Sequence, residues 1–76
     1  MSIKLMRNVN GRFRYYILSV TINLFNAWML EKIYGSSSNK KPTRILHTEF
    51  QDEASATNQM KLKVEEKLRK GYIRMF

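Results

Sequence analysis

The chain has 76 residues, 14 of them Lys or Arg against 6 Asp or Glu, giving a formal charge of +8, and it contains no cysteine. A chain this short holds one core, leaves no room for an enclosed cavity of enzyme size, and offers neither disulfides nor thiolate metal ligands. The positive excess points to polyanionic partners, nucleic acid first, although charge alone does not separate these from an anionic membrane surface.

Met1–Gly11 shows no sustained period and closes on Asn10-Gly11, a turn signal, so residues 1–11 read as a flexible N-terminal arm ahead of a single domain over residues 12–76. Lys4 and Arg7 would suit the start of a signal peptide, but Asn8, Asn10, Gly11, Arg12 and Arg14 follow where an apolar stretch belongs. No window approaches the roughly 18 uncharged apolar residues of a membrane span. A cytoplasmic protein without membrane contact is expected.

Arg12–Thr21 is rich in β-formers, with Tyr16, Leu18 and Val20 on one face and Phe13, Tyr15 and Ile17 on the other. Both faces are apolar near the middle, which suits a central strand covered on one side by a helix and partly shielded on the other. Ile22–Asn26 is a short connection whose Leu24 and Phe25 are expected to cap one end of the core. A second strand over Ala27–Tyr34 sets Trp28, Leu30, Lys32 and Tyr34 against Met29, Glu31 and Ile33, and Gly35 ends it. Gly35–Pro42, with three consecutive serines, Asn39, Lys40 and Lys41, reads as a mobile hairpin loop. In a third strand, Thr43–Phe50, Leu46 and Phe50 are the expected core positions.

A helix is expected over Glu53–Lys70, with Asp52 as N-cap, Glu53 beside the positive end of the dipole, and Gly71 as the stop. Met60, Val64 and Leu68 form the stripe that meets the sheet, with Ala56 and Thr57 at its upper end. Glu65 with Arg69 and Glu66 with Lys70 stand four apart in the favourable order. Lys63, Lys67 and Lys70 line one flank of the buried face, and Tyr72 and Ile73 return the chain to the sheet edge or the core. The resulting architecture is α+β: a small antiparallel sheet of three to four strands with one long C-terminal helix packed on one face.

No catalytic constellation is visible, and no cofactor is expected. The chain has one histidine and no cysteine, and no Gly-rich loop links a strand to a helix. His47 and Glu49 share a strand face, but two ligands are too few for a closed zinc site, so a hydrogen-bonded or solvated histidine is expected. Glu65 and Glu66 are adjacent on a helix and diverge, which rules against a paired acid and base. Tyr16, Phe25, Trp28 and Phe50 are expected to build the core.

The succession Arg14, Tyr15, Tyr16, Leu18, Val20, then Leu24, Phe25, Trp28, then Tyr34 and Gly35, and later Phe50, Leu68, Gly71 and Tyr72 resembles the WGR domain, over roughly residues 12–73. That domain is a module of the poly(ADP-ribose) polymerases and also occurs as short stand-alone bacterial proteins. The family's defining Trp-Gly-Arg reads Tyr34-Gly35-Ser36 in this chain. In the polymerases the tryptophan packs against sugar at a DNA end and the arginine holds nearby backbone. By this resemblance Tyr34 keeps an aromatic surface and Gly35 a close backbone approach, while Ser36 has lost the cation.

Lys40, Lys41 and Arg44, next along the chain, are the candidates to replace that cation, so the expected nucleic-acid site is Tyr34, Gly35, Lys40, Lys41 and Arg44. Arg12, Arg14 and Lys67 are second-tier candidates, and Lys67 matches a lysine common in the family's helix. Residues and resemblance together lead to the expectation of a non-enzymatic monomer that binds the phosphate backbone of nucleic acid, DNA rather than RNA, with weak sequence specificity, since nothing in the chain looks like a helix that reads a major groove. The alternative is a protein-interaction module docking through Tyr15, Ile17 and Ile33. Membrane adsorption by the basic helix is the weakest reading, since no aromatic lies between Asp52 and Lys70. ADP-ribosyl transfer is not implied, because the polymerases' catalytic site lies in another domain.

Overall fold

A computed structural model describes residues 1–76. Five strands, β1 (Ser2–Val9), β2 (Arg12–Ile22), β3 (Trp28–Ser36), β4 (Arg44–Phe50) and β5 (Ile73–Arg74), and one helix, α1 (Glu53–Arg69), make up the chain. The strands form one antiparallel sheet in the order β4-β3-β2-β1-β5. The α+β architecture is as expected, and the sheet is larger than the three or four strands expected.

The additional strand comes mainly from the segment read as a flexible arm. Ser2–Val9 pairs with β2 along its whole length, from Ser2 opposite Ser19 to Val9 opposite Arg12, and buries Ile3 and Leu5. Asn10 and Gly11 make this possible, because both adopt positive φ (53° and 82°). Two successive left-handed residues give a tight hairpin turn whose twist matches that of the flanking strands. The Gly11 N–H also donates to the Asn8 side-chain oxygen at 3.0 Å. At the other end of the chain, Ile73 and Arg74 pair with Met6 and Leu5 as a short edge strand, and half-buried Tyr72 packs on the core.

Register places the covered face in cross-strand rows: Leu5, Tyr16, Tyr34 and Arg44; Ile3, Leu18, Lys32 and Leu46; and, at one end, Ile22, Trp28 and Phe50. Leu5, Leu18, Leu30 and Met60 are fully buried at the centre. Trp28 and Phe50 face each other across β3 and β4 and are half-buried at its margin.

Asp52 caps α1, its carboxylate accepting from the Ser55 N–H at 2.7 Å, and that bond holds its pKa below the usual aspartate range. The helix buries Ala56, Met60 and Val64, but Leu68 lies 45% exposed, contrary to expectation. Steps of four residues drift about 40° around a helix of 3.6 residues per turn, so the third step from Ala56 carries Leu68 off the face. Lys67, eleven residues after Ala56, returns to within about 20° of it and occupies the inward position instead. Leu24 and Phe25 do not cap the core either. They stand 99% and 90% exposed on the β2–β3 turn. No helix is long and apolar enough to cross a membrane.

Candidate nucleic-acid interface

The C-terminal half of α1 overhangs the end of the sheet where β2 begins and β3 finishes. Between them runs an open groove of about 1060 Å³, and five cations line it: Arg12 and Arg14 from β2, Lys32 from β3, and Lys63 and Lys67 from α1. No carboxylate is among the lining residues. Glu66, the nearest acid on the helix, is occupied by Lys63 at 3.4 Å and Lys70 at 3.2 Å, and Glu65 lies 3.8 Å from Arg69. Arg12, Arg14, Lys32 and Lys67 form no ion pair.

The row at the groove's end sets Arg7, Arg14 and Ser36 side by side on adjacent strands. Like charges directly opposite one another are unfavourable in a sheet unless an anion or solvent answers them.

Three tyrosines make the groove's floor and wall. Tyr16 and Tyr34 are cross-strand partners whose rings stack at 5.2 Å with planes 7° apart, and Tyr72 meets Tyr16 edge-on at 6.5 Å. The Lys67 ammonium lies 4.5 Å from the Tyr16 ring centre and 5.7 Å from that of Tyr72, while the Arg7 guanidinium lies 6.0 Å from Tyr72. The ring faces thus hold the cation where a carboxylate otherwise would. Burial pushes the Lys67 pKa down, and the neighbouring Lys70, Lys63 and Lys32 charges add to that while Glu66 partly opposes it. Tyr16 is pushed up, by burial first and then by Tyr34. Lys67 is therefore a cation kept partly out of water and beside other cations, which an anionic oxygen in the groove would relieve.

Gly35 is required by its surroundings. A Cβ there would lie 2.9 Å from the Thr43 nitrogen and 3.0 Å from the Tyr15 hydroxyl, so any side chain would push β3 away from the incoming strand.

Of the residues expected at the site, Tyr34 and Gly35 line the groove, whereas Lys40, Lys41 and Arg44 are exposed and outside its lining. Arg44 shares the covered face as Tyr34's partner on β4. Tyr34 is not a free stacking platform, because one face of its ring is covered by Tyr16. The second-tier residues Arg12, Arg14 and Lys67 are all in the groove. Lys32 and Lys63 were not singled out for the site. The signal for Lys32 was present, since alternation puts it between Leu30 and Tyr34 on the core-facing side of its strand. On the uncovered face His47 bonds Glu31, its cross-strand partner, at 2.7 Å, which leaves Glu49 apart from it.

A family model described as WGR domain matches residues 2–75, a span that takes in β1 as well as the segment from Arg12 onward. No curated protein and no solved structure matches the chain.

Proposed function

Because the chain belongs to the WGR domain family, whose members are in general nucleic-acid-binding modules, we propose that it is a non-catalytic module that holds nucleic acid by its phosphate backbone in the basic groove. The observation that carries this reading is the convergence of five cations from two strands and a helix on a groove without a carboxylate. Fixed cations gathered in a concave surface raise the local potential and attract phosphates irrespective of base sequence. Arg14, Lys32 and Lys67 supply the charge, and Lys40, Lys41 and Arg44 add a solvated outer layer. Weak base specificity follows from the tyrosines, whose faces are engaged with each other and with Lys67, and from the absence of any helix shaped to enter a major groove. DNA is favoured over RNA by the resemblance to the polymerase modules.

Titration against a labelled duplex, a single strand and an RNA of equal length, each at two salt concentrations, tests the proposal. Affinity should fall steeply with salt, and an abasic single strand should bind as well as its base-bearing counterpart. Binding that is absent at low salt, or that does not respond to salt, would remove the reading.

A second reading, docking of a protein on the uncovered face of the sheet, is favoured by one observation. Ile17, Ile33 and Ile45 form a continuous apolar row across β2, β3 and β4, with Tyr15 beside it, and no helix covers them. Association by that face would be insensitive to salt and would be abolished by Ile33→Lys.

A further inference from the structure

At the end of the sheet opposite the groove, the β2–β3 turn displays Leu24 and Phe25 almost wholly to solvent, next to Ile22 at 52% exposure. Scattered apolar residues on a surface need no explanation, but a contiguous pair on a rigid support does. This turn is rigidly built. The Asn23 side-chain oxygen accepts from the Phe25 N–H at 2.9 Å and the Ala27 N–H at 3.0 Å. The Asn23 N–H donates to the Ala27 carbonyl at 2.9 Å, and Asn26 adopts φ 61° to close the turn. The two side chains are therefore held away from their own core.

The surroundings also differ from the rest of this basic molecule. Residues 20–30 and 48–53, which meet at that end, contain Glu49, Asp52 and Glu53 and no Lys or Arg, the Met1 ammonium being a cation beside them, 3.5 Å from the Val20 carbonyl. An anionic membrane or nucleic acid is a poor match for such a tip.

A complementary receptor exists on the same chain. An apolar hollow of about 260 Å³ lies between α1 and the β1 edge, lined by Met1, Ile3, Met60 and Val64, with Lys61 and Arg74 at its margin. Glu65 also borders it, but its charge is answered by Arg69. An apolar cavity of roughly 150 Å³ accepts benzene, so this hollow has room for the Phe25 ring with part of Leu24. We propose that the β2–β3 turn of one copy inserts Leu24 and Phe25 into this hollow of a second copy, its acidic surroundings meeting Lys61 and Arg74. The contact is small and belongs to the weak, transient class. It uses neither the groove nor the uncovered sheet face, and it would set two basic grooves on one polyanion, which adds avidity. The monomer expected from the sequence gives way, on this proposal, to a concentration-dependent assembly.

Sedimentation velocity of the full chain, freed of nucleic acid, over rising protein concentration is the test. The mean mass should climb above that of a monomer. Leu24→Asn with Phe25→Asp should weaken association by about tenfold or more, and Lys61→Glu with Arg74→Glu should do likewise. All four positions are exposed, so amide NMR spectra of both variants should remain those of a folded domain. An equimolar mixture of the two variants should regain association, because the intact turn of one meets the intact hollow of the other. A monomer at every concentration, association untouched by the turn variant, or a mixture no heavier than its parts would overturn the proposal. Loss of association with Ile33→Lys alone would also overturn it, by assigning the contact to the uncovered face.

Discussion

The cations of the β3–β4 loop and those of the groove carry the same charge and are held in very different ways. Lys40 and Lys41 sit together on an exposed loop, and ordering them on a ligand costs the conformational entropy of long, free side chains. Arg14, Lys32, Lys63 and Lys67 come from three separate elements whose backbones are fixed by strand register and helix packing, they converge on one concavity lined by no carboxylate, and Lys67 is held against the rings of Tyr16 and Tyr72. Burial has already lowered the pKa of Lys67, a sign that positive charge is concentrated there at some expense to the folded state. Adjacency along the chain therefore identifies a charge cluster, whereas register and packing decide which cations act together.

The largest expected effect is on the scaffold both regions share. Leu30→Ala should cost about 2–5 kcal/mol in denaturant unfolding, since Leu30 is fully buried, whereas Leu68→Ala, at a half-exposed position, should cost less than about 1 kcal/mol. If Leu30→Ala unfolds the domain, its loop lysines remain as chain charges but the groove is gone. DNA affinity that survived the unfolding would mark a polycation effect and break the comparison.

Next in size is a gain. Ser36 faces Arg14 at the groove's end, so Ser36→Arg adds a cation to the fixed set and should strengthen DNA binding by about 1.5–3 kcal/mol. Repeating the change in an Arg14→Ala background sharpens the point. Two cations gripping one phosphate are non-additive, and simple additivity in the resulting double-mutant cycle would place them on separate sites.

Lys67→Met should have a smaller effect, visible in thermal melts. Added DNA should raise the Tm of the variant less than that of the wild type. The pH dependence has a defined sign. The folded state binds the Lys67 proton less tightly than the unfolded chain does, so this group makes stability rise as pH climbs through its lowered folded pKa toward that of a free lysine. The Met variant should lack that contribution, and superimposable alkaline Tm profiles would contradict it.

Asp52 gives the smallest effect, of the same sign as that of Lys67 but at the acid end of the pH scale. Its folded pKa is depressed by the bond from the Ser55 N–H, so its contribution is present above the free aspartate range and is lost as pH falls through the folded value. Asp52→Asn should flatten the acid limb of the Tm profile and leave DNA binding unchanged.

Much of the scaffold was legible in the sequence. Alternation placed Tyr16, Leu18, Val20 and Leu30 on the covered side, and the Asp52 cap fixed the start of the helix. β1 was missed although Ile3 and Leu5 alternate correctly and Asn10-Gly11 is a strong hairpin signal, because the polar residues around that turn suggest a loose arm. Leu68 was misplaced by following steps of four without the drift that brings Lys67 inward. Leu24 and Phe25 show the limit of the inference from apolar to buried, which fails where local hydrogen bonds fix a turn outward. The groove itself was only partly legible. The sequence points to Tyr34 and Gly35 and, in second rank, to Arg12, Arg14 and Lys67, all of which line the groove, but ranking them above Lys40, Lys41 and Arg44 requires the register that sets Arg14 opposite Ser36 and the docked helix that lays Lys67 over Tyr16, which no local pattern specifies.

The most direct test compares the two cation groups at equal charge. Fluorescence anisotropy with a short labelled duplex should be measured for the wild type, for Arg14→Ala with Lys32→Ala, and for Lys40→Ala with Lys41→Ala, across a salt series. Each double variant removes two positive charges. The groove pair should lose more than about tenfold in affinity and reduce the salt slope by roughly 2, while the loop pair should lose less than about threefold. Equal losses from both pairs would show that net charge alone governs binding, and a larger loss from the loop pair would contradict the groove as the site.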